Sequence, residues 1–202
     1  MTKSTVHARP SIRPFEPSDA AELFALVSAQ GRDLDAFAWR PSISSQADES
    51  AFIDWACGAE EAGVALNRAI VVNGRLAGCA SLYPPHHGAF PSGAEPTLQM
   101  GYWVAREFRG QGLGWRSMSM LCAQALAIFP PSSTAGIRSR SRNGASLACA
   151  AKLGLELVCS GMPSEFDSSD TDVAMSGLLS TAAMPARAAC SPPPKQSGLR
   201  PR

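Results

Sequence analysis

The chain has 202 residues, of which 45% are hydrophobic and 17% charged, and its formal net charge is +1 at pH 7. This length is typical of one domain with tails, and it is sufficient for a hydrophobic core without disulfide or metal staples. So small a net charge argues against nucleic acid as a partner, and no apolar run reaches the length of about eighteen residues typical of a membrane span. We therefore expect a cytoplasmic globular protein.

The cysteines and histidines do not form a metal-binding pattern. The six cysteines are scattered without a C-x-x-C pair, which favours buried, reduced thiols. The three histidines lack ligand-like spacing to any cysteine pair, and His86 and His87 follow two prolines in what we interpret as an exposed turn. We expect no metal cofactor.

The first part of the chain predicts one short strand and two helices, after a flexible leader at residues 1–10. The strand is SIRPF, and helical spacing of apolar residues predicts a first helix over about residues 18–30. A second helix is expected from Ser45, which forms a capping box with Asp48, to about Gly63. Its expected apolar stripe is Phe52, Trp55 and Ala59.

Three strands are predicted next. RAIVVNGRLAGCASLY contains two β-rich runs joined at Asn73-Gly74, the strongest short hairpin signal. An irregular loop at residues 84–96 follows, and TLQMGYWV is the third strand. Alternation places Leu98, Met100, Tyr102 and Val104 on one of its faces and Gln99, Gly101 and Trp103 on the other.

The remaining pattern predicts a helix over about residues 113–129, a strand (AGIRSR), a helix capped by Asn143 and closed at Gly154, and two final strands. The resulting order, βααβββαβαββ, favours an α+β fold, a sheet flanked by helices, over a doubly wound parallel sheet. We expect this domain to span residues 11–181. Residues 182–202 are basic and proline-rich, which is typical of a disordered tail.

The stretch REFRGQGLGWRS (residues 106–117) places three glycines between a strand and a helix. The first N–H groups of a helix have no partners within the helix, and the macrodipole adds partial positive charge there. Glycines let a phosphate approach the backbone, and Arg109 adds a charge beside the turn. The pattern therefore predicts a ligand that carries phosphate, with pyrophosphate the favoured form.

Spacing separates the known phosphate motifs. A P-loop needs a lysine that this stretch lacks, and a dinucleotide fingerprint or kinase glycine loop starting at Gly110 needs a third glycine where Trp115 stands. What remains is R-x-x-G-x-G, residues 109–114.

RGQGLG after GYWV resembles the acyl-CoA pyrophosphate loop of the GNAT family of N-acetyltransferases. The segments RPFEPSDAAEL, WRP, GRLAG, RNGASLACAAKLGLEL and DVAMSGLL are also similar, in the same order, to the branch that acetylates the N-termini of ribosomal proteins. The resemblance covers about residues 11–180. It implies a twisted, mostly antiparallel sheet with splayed central strands, and acetyl-CoA as cosubstrate.

The resemblance also implies which residues bind the cofactor. The pantetheine arm would lie in the gap between the splayed strands, against the backbone of Trp103 and Val104, and Asn143 would hold the cofactor from the following strand–helix turn. The residues that would wrap the pyrophosphate are Arg109, Gly110, Gln111, Gly112, Leu113 and Gly114.

Two side chains match positions that the ribosomal branch uses in catalysis. Ser146 would protonate the sulfur of coenzyme A, and Glu165 would act as the general base for the amine. Each also has a plainer interpretation, as a serine in the first turn of a helix and as a solvated loop carboxylate. Many members of the family use no dedicated acid or base.

The identity of the acetyl acceptor is the part of the reaction that the sequence determines least. The resemblance favours a protein N-terminal α-amino group; a small amine or antibiotic, or a CoA-binding regulatory module without activity, are the alternatives. Trp39, Arg40, Trp55 and the 84–96 loop are the candidate acceptor-lining elements, although Trp55 is expected to be mainly a core residue. The sequence does not predict the oligomeric state.

Overall fold

The structure, a computed structural model, describes residues 10–34, 37, 39–164 and 171–179. Within these residues the element order is the predicted βααβββαβαββ, with short 3-10 turns between elements. The strands are β1 (Ser11–Arg13), β2 (Leu66–Val72), β3 (Arg75–Tyr83), β4 (Leu98–Val104), β5 (Thr134–Arg140), β6 (Glu156–Pro163) and β7 (Thr171–Leu178). The helices are α1 (Ala20–Gln30), α2 (Gln46–Glu61), α3 (Leu113–Ala125) and α4 (Gly144–Lys152).

The strands form one sheet in the order β1-β2-β3-β4-β5-β7-β6. Every neighbouring pair is antiparallel except β4 and β5, which are parallel. The predicted α+β class with a mostly antiparallel sheet is therefore confirmed.

Local sequence explains two of the element boundaries. Asn73 and Gly74 both have positive φ, 51° and 78°, as a tight turn between β2 and β3 requires. At the start of α2, the Ser45 hydroxyl accepts a hydrogen bond from the Asp48 backbone N–H, and the Asp48 carboxylate accepts one from the Ser45 N–H at 2.8 Å. Both features are as predicted.

The sheet separates two hydrophobic cores. Helices α3 and α4 cover one face, where Leu98 and Met100 of β4 are buried, and α1 and α2 cover the other, where Trp103 is buried. The alternation predicted for β4 is thus confirmed. Because both faces of β4 are covered by helices, this strand lies at the centre of the molecule, where the two cores come closest.

The buried face of α2 differs from the expected one. Glu49, Ile53 and Ala56 are the buried residues, whereas Trp55 is 54% exposed. Both stripes fit helical spacing, but they differ by about 100° of rotation, and the contacts with α1 and the sheet choose the first. The expectation that Trp55 is a core residue is wrong.

Smaller differences concern helix length and the thiols. Helix α3 ends at Ala125 rather than near residue 129, although Phe129 is buried as expected. All five described cysteines are free, but Cys57 is exposed and Cys159 half-buried. The predicted tail and all but the last residue of the predicted leader lie outside the described residues. No described helix is both long and apolar enough to cross a membrane.

Candidate active site

The central feature of the site is a gap between β4 and β5. The two strands pair only through Leu98 with Ala135 and Gln99 with Gly136, although β4 continues to Val104 and β5 to Arg140. On its other side β4 stays paired with β3 as far as Val104. Apart from the Val104 carbonyl, which accepts a hydrogen bond from Arg109, the β5-facing backbone groups beyond Gln99 are therefore available to an extended ligand, which can bind there as an added strand.

A cavity of about 1180 Å³ passes through this gap. On one side of the sheet, the cavity is lined by residues of the segment 109–114, called the glycine loop below, and by the start of α4. On the other side it is lined by α2 and by the segment that precedes α2. One continuous space therefore connects the predicted phosphate site with the predicted acceptor side, and a ligand in it would cross the sheet where the strands part.

The glycine loop has the backbone of an anion site at the start of α3. Gly110 and Gly112 adopt left-handed conformations, with φ of 75° and 72°, and Gly112 is the N-cap of α3, which has no side-chain cap. The first N–H groups of α3 are therefore available to an anion. Leu113 has its side chain in the core and can contribute only backbone, while Gln111 is exposed and does not line the cavity.

Packing against Tyr102 by itself requires a glycine at position 114, which also lines the cavity, and its role at the pyrophosphate stays a prediction. A Cβ at this position would lie 2.7 Å from Cε2 of Tyr102, closer than real contacts allow. Glycine is therefore needed for two different physical reasons. At Gly110 and Gly112 it allows the backbone conformation, and at Gly114 it leaves space for a tyrosine ring.

Arg109 is less free than the sequence suggested. Its Nε donates to the carbonyl of Val104 at 2.8 Å, and its Nη1 donates to Asp33 Oδ2 at 2.7 Å. Arg106 also pairs with Asp33, at 3.0 Å, and its backbone N–H donates to the buried amide oxygen of Gln30 at 2.8 Å. The two arginines thus attach the loop to the residues at the end of α1, and Arg109 holds the loop's shape as well as facing the cavity.

At the start of α4, the structure brings Asn143 and Ser146 to the cavity wall. The Asn143 side-chain oxygen accepts a hydrogen bond from the Ser146 N–H at 3.1 Å, so its predicted capping role is confirmed. Ser146 is buried, and the phenol of Tyr102 lies near enough to Ser146 and to the Cys149 thiol for both to affect its pKa. Burial raises the pKa of Tyr102, so this phenol is neutral at physiological pH and can donate a proton to a hydrogen bond.

Sequence reasoning treated Tyr102 only as a packing residue. Nothing local distinguishes a tyrosine whose ring is in the core from one whose hydroxyl also reaches the site. Glu165, the predicted general base, lies outside the described residues.

On the acceptor side, the structure places Trp39, Phe52 and Trp55 on the cavity wall. The Trp39 ring lies 6.3 Å from that of Trp103, and Phe52 lies 6.1 Å from Trp55, measured between centroids. Arg40, in contrast, is not a lining residue; it donates to the carbonyl of Ile43 at 3.0 Å. Of the 84–96 loop, His86 contributes to the wall.

Glu49, Asn67 and Gln99 are buried polar residues of the cavity wall that were not predicted from the sequence. A signal for Glu49 existed: it shares helical spacing with Ile53 and Ala56, which makes it a charged residue on an apolar face. Gln99 was placed on the face of Trp103, but its polarity there was not used.

A family model for the GNAT acetyltransferase domain matches residues 9–156. The chain belongs to the GNAT acetyltransferase family. It is an N-acetyltransferase that uses acetyl-CoA. A search of proteins with curated functions found no significant sequence match.

Solved structures of low sequence identity share this GNAT fold. A RimL ribosomal L7/L12 alpha-N-protein acetyltransferase in complex with coenzyme A is 20% identical, with a TM-score of 0.70 over 85% of this chain and 95% of that one. The microcin C7 self-immunity acetyltransferase MccE, in complex with acetyl-CoA and AMP, is 19% identical, with a TM-score of 0.68 over 84% and 92%. Mycobacterium smegmatis RimJ, in complex with a CoA disulfide, is 18% identical, with a TM-score of 0.66 over 85% and 83%.

The residues present fit acetyl-CoA. The open backbone edge of β4 suits the amide-containing pantetheine arm, and the start of α3 suits the pyrophosphate. Among the described residues, no group of three or more histidine, cysteine, aspartate or glutamate side chains could hold a metal ion.

Proposed function

We propose that this GNAT enzyme transfers the acetyl group of acetyl-CoA to a protein N-terminal α-amino group, in the manner of a ribosomal-protein acetyltransferase. The observation that carries the proposal is the continuous cavity through the sheet, which has the phosphate-binding helix start on one side and an open, aromatic-lined wall on the other. Such a wall has room for a peptide whose first residue enters the gap. The likeness to the RimL and RimJ structures supports this class of acceptor.

For the donor side, we propose that Gly110, Gly112 and the start of α3 bind the pyrophosphate, with Asn143 holding the cofactor from α4. The Trp103 and Val104 backbone would hydrogen-bond the pantetheine arm. Trp103 is buried, and a hydrogen bond to its backbone would be strengthened by the low local dielectric.

For the chemistry, we propose that Ser146 supplies the proton for the leaving sulfur. The neutral Tyr102 phenol nearby supports this role, because it could donate a hydrogen bond to the serine oxygen as the serine gives up its own proton. Glu165 is the proton acceptor that the family resemblance suggests, and it stays a prediction.

The test is an acceptor screen with the full chain and acetyl-CoA, in which released thiol is measured and acetylated products are located by mass spectrometry. We expect peptides with a free N-terminal amine to be acetylated at that amine. Glu165→Gln is expected to lower kcat by about 100-fold with acetyl-CoA affinity unchanged, and Glu156→Gln, on an exposed strand position, to have no effect. Full activity of Glu165→Gln would remove that residue from the mechanism.

A small-molecule acceptor is the second candidate, because the likeness to MccE is almost as close as that to RimL. Exclusive turnover of small amines in the same screen would favour it over the protein N-terminus. Tight acetyl-CoA binding without turnover of any amine would instead favour a CoA-binding regulatory module.

A further inference from the structure

The acceptor wall of the cavity carries buried polar atoms that have no hydrogen-bond partner among the described residues. Two of them are acceptor oxygens, Glu49 Oε1 and Gln99 Oε1, whose residues are 3% and 8% exposed, and one is a donor, Nδ2 of Asn67, whose residue is 4% exposed. Unpaired buried polar atoms are rare in folded proteins, and each carries a desolvation penalty. The two unpaired acceptor oxygens in one cavity wall point to a ligand that donates hydrogen bonds.

The two residues reach the cavity from different elements. Glu49 is on the buried side of α2 with Ile53. Gln99 shares the Trp103 face of β4, opposite Tyr83 of β3, and it is the last β4 residue that pairs with β5 before the strands part. Both residues therefore lie on the acceptor side of the sheet, and Gln99 is at the point where the gap begins.

The electrostatic environment of the Glu49 carboxylate favours a cationic ligand. No salt-bridge partner of Glu49 is found within the described part of the chain, although Arg40 is near enough to favour its charged form. Burial raises the pKa of Glu49 to about 7, and the charge of Asp48 adds to this effect. A buried carboxylate of this kind gains most from a ligand that brings both positive charge and N–H groups.

We propose that Glu49 and Gln99 bind the ammonium group of the acceptor and that Glu49 takes its first proton. This inference rests on the proposed acetyl transfer and identifies the acceptor as a primary amine that arrives protonated. An ammonium ion offers three N–H donors, which the two unpaired oxygens can accept. Glu49 is thereby a rival to Glu165 for the role of general base.

The ammonium gives one proton to the Glu49 carboxylate and becomes a neutral amine, whose nitrogen attacks the thioester carbonyl carbon. The C–N bond forms, the C–S bond breaks, and the second nitrogen proton ends on the sulfur of coenzyme A, for which Ser146 is the proposed route. A base whose pKa is about 7 suits an α-amine whose ordinary pKa is near 8.

The entrance to this pair is aromatic. Phe52 and Trp55 of α2 line the cavity, and Trp39 faces it from the preceding segment. Trp55 is 54% exposed, so much of its ring surface is accessible to a ligand. The group attached to the ammonium therefore has an apolar surface to contact, and a cation can also bind to aromatic faces on its way in.

The experiment measures whether the protein binds an ammonium ligand more tightly than an uncharged analogue of the same ligand, and it does not require turnover. The protein saturated with coenzyme A is titrated by calorimetry with a hexapeptide carrying a free N-terminal serine and with its Nα-acetylated form, and then with benzylamine and benzyl alcohol. We expect the wild type to bind at least one amine more tightly than its uncharged analogue by about 10-fold or more.

Two variants probe the site and one is the control. Glu49→Gln and Gln99→Met are expected to lose this preference while their affinity for coenzyme A is unchanged. Glu61→Gln removes a carboxylate from the exposed end of the same helix and is expected to keep the preference. The proposal would be overturned if Glu49→Gln preferred the amine over its neutral counterpart as strongly as the wild type does. It would also be overturned if the wild type showed no preference for either amine.

Turnover separates this proposal from the function on which it rests. If the preference depends on Glu49 but no peptide is acetylated, the ammonium site stands and the N-terminal acceptor is wrong. If peptides are acetylated at the wild-type rate by Glu49→Gln but not by Glu165→Gln, the acetyl transfer stands and the role of Glu49 is wrong.

Discussion

Arg109 donates a 2.7 Å hydrogen bond to Asp33, which joins the glycine loop to the short turn after α1. Asp33 accepts from Arg106 as well, and these two arginines lower the pKa of its carboxyl group. The carboxylate therefore stays charged over the pH range in which the enzyme would be assayed. A cofactor loop on one side of the sheet is in this way held by an element on the other side.

Replacement of Asp33 by asparagine should weaken acetyl-CoA binding more than it weakens the fold. Exposed ion pairs contribute little to stability, but this one restrains the loop that we propose binds the pyrophosphate. We expect a loss of affinity of about 3- to 10-fold with almost unchanged Tm. Calorimetry and thermal melts check this, with Asp54→Asn on the exposed side of α2 as the control; equal affinities would show that the loop keeps its shape unaided.

At Gly110, backbone conformation can be separated from side-chain volume. A Cβ there has no heavy atom within 4 Å, so any penalty comes from the positive φ. Asparagine tolerates this conformation and valine does not. We expect Gly110→Asn to keep most of the acetyl-CoA affinity and Gly110→Val to lose about 10-fold or more. The same loss in both variants would mean that volume, and hence ligand contact, is decisive.

Gly114→Ala should destabilise the protein although alanine is the better helix former. The new Cβ would overlap the ring of Tyr102, and overpacking of this kind costs about 1–3 kcal/mol. Gly58→Ala, on α2 and with open space around its Cβ, is the matched control and should stabilise by up to about 1 kcal/mol. Urea unfolding of both variants measures the difference.

A double-mutant cycle with Tyr102→Leu tests the cause of the Gly114 effect. If the ring is the obstacle, Gly114→Ala costs less in the Tyr102→Leu background, by more than about 0.5 kcal/mol. Additive effects would contradict the packing explanation.

Glu49 should make stability depend on pH in an unusual direction. Its pKa is about 7 in the folded protein against an ordinary 4.5, so between these values the folded state holds a proton that the unfolded state has lost. This residue's contribution to stability is therefore greatest below pH 4.5, falls as the pH rises to 7, and is constant above that. The loss corresponds to about 3 kcal/mol.

Glu49→Gln removes this dependence, so the variant should match the wild type near pH 4.5 and exceed it at pH 8. Urea unfolding at both pH values isolates the contribution of Glu49, because all other groups titrate alike in the two proteins. A difference that does not change with pH would show that the carboxyl group titrates normally.

The α2 helix shows where prediction from sequence succeeded and where it failed. Its start was predictable because the Ser45–Asp48 box is a local interaction, formed by residues three positions apart. Its buried face was not, because stripes through Phe52 and through Ile53 both satisfy helical spacing. The failure hid Glu49, whose unusual environment depends on the direction in which the helix faces.

The glycine loop gives the same contrast. Residue identity alone predicted an anion site at a helix start, since unpaired N–H groups and positive φ are properties of the backbone. The bond from Arg109 to Asp33 spans 76 positions in the chain, and the contact of Gly114 with Tyr102 joins a helix to a strand. Periodicity within a window carries no information about such contacts.

By itself, the sequence determined the order of strands and helices and the hairpin at Asn73-Gly74, and it predicted a phosphate-binding loop, because each follows from interactions among near neighbours. The family resemblance implied that central strands part, but only the tertiary structure decided that β4 and β5 part after Gln99 and that Glu49 faces the cavity between them. These features depend on how helices pack on the two faces of one sheet, and that packing is set by contacts between residues far apart in the chain.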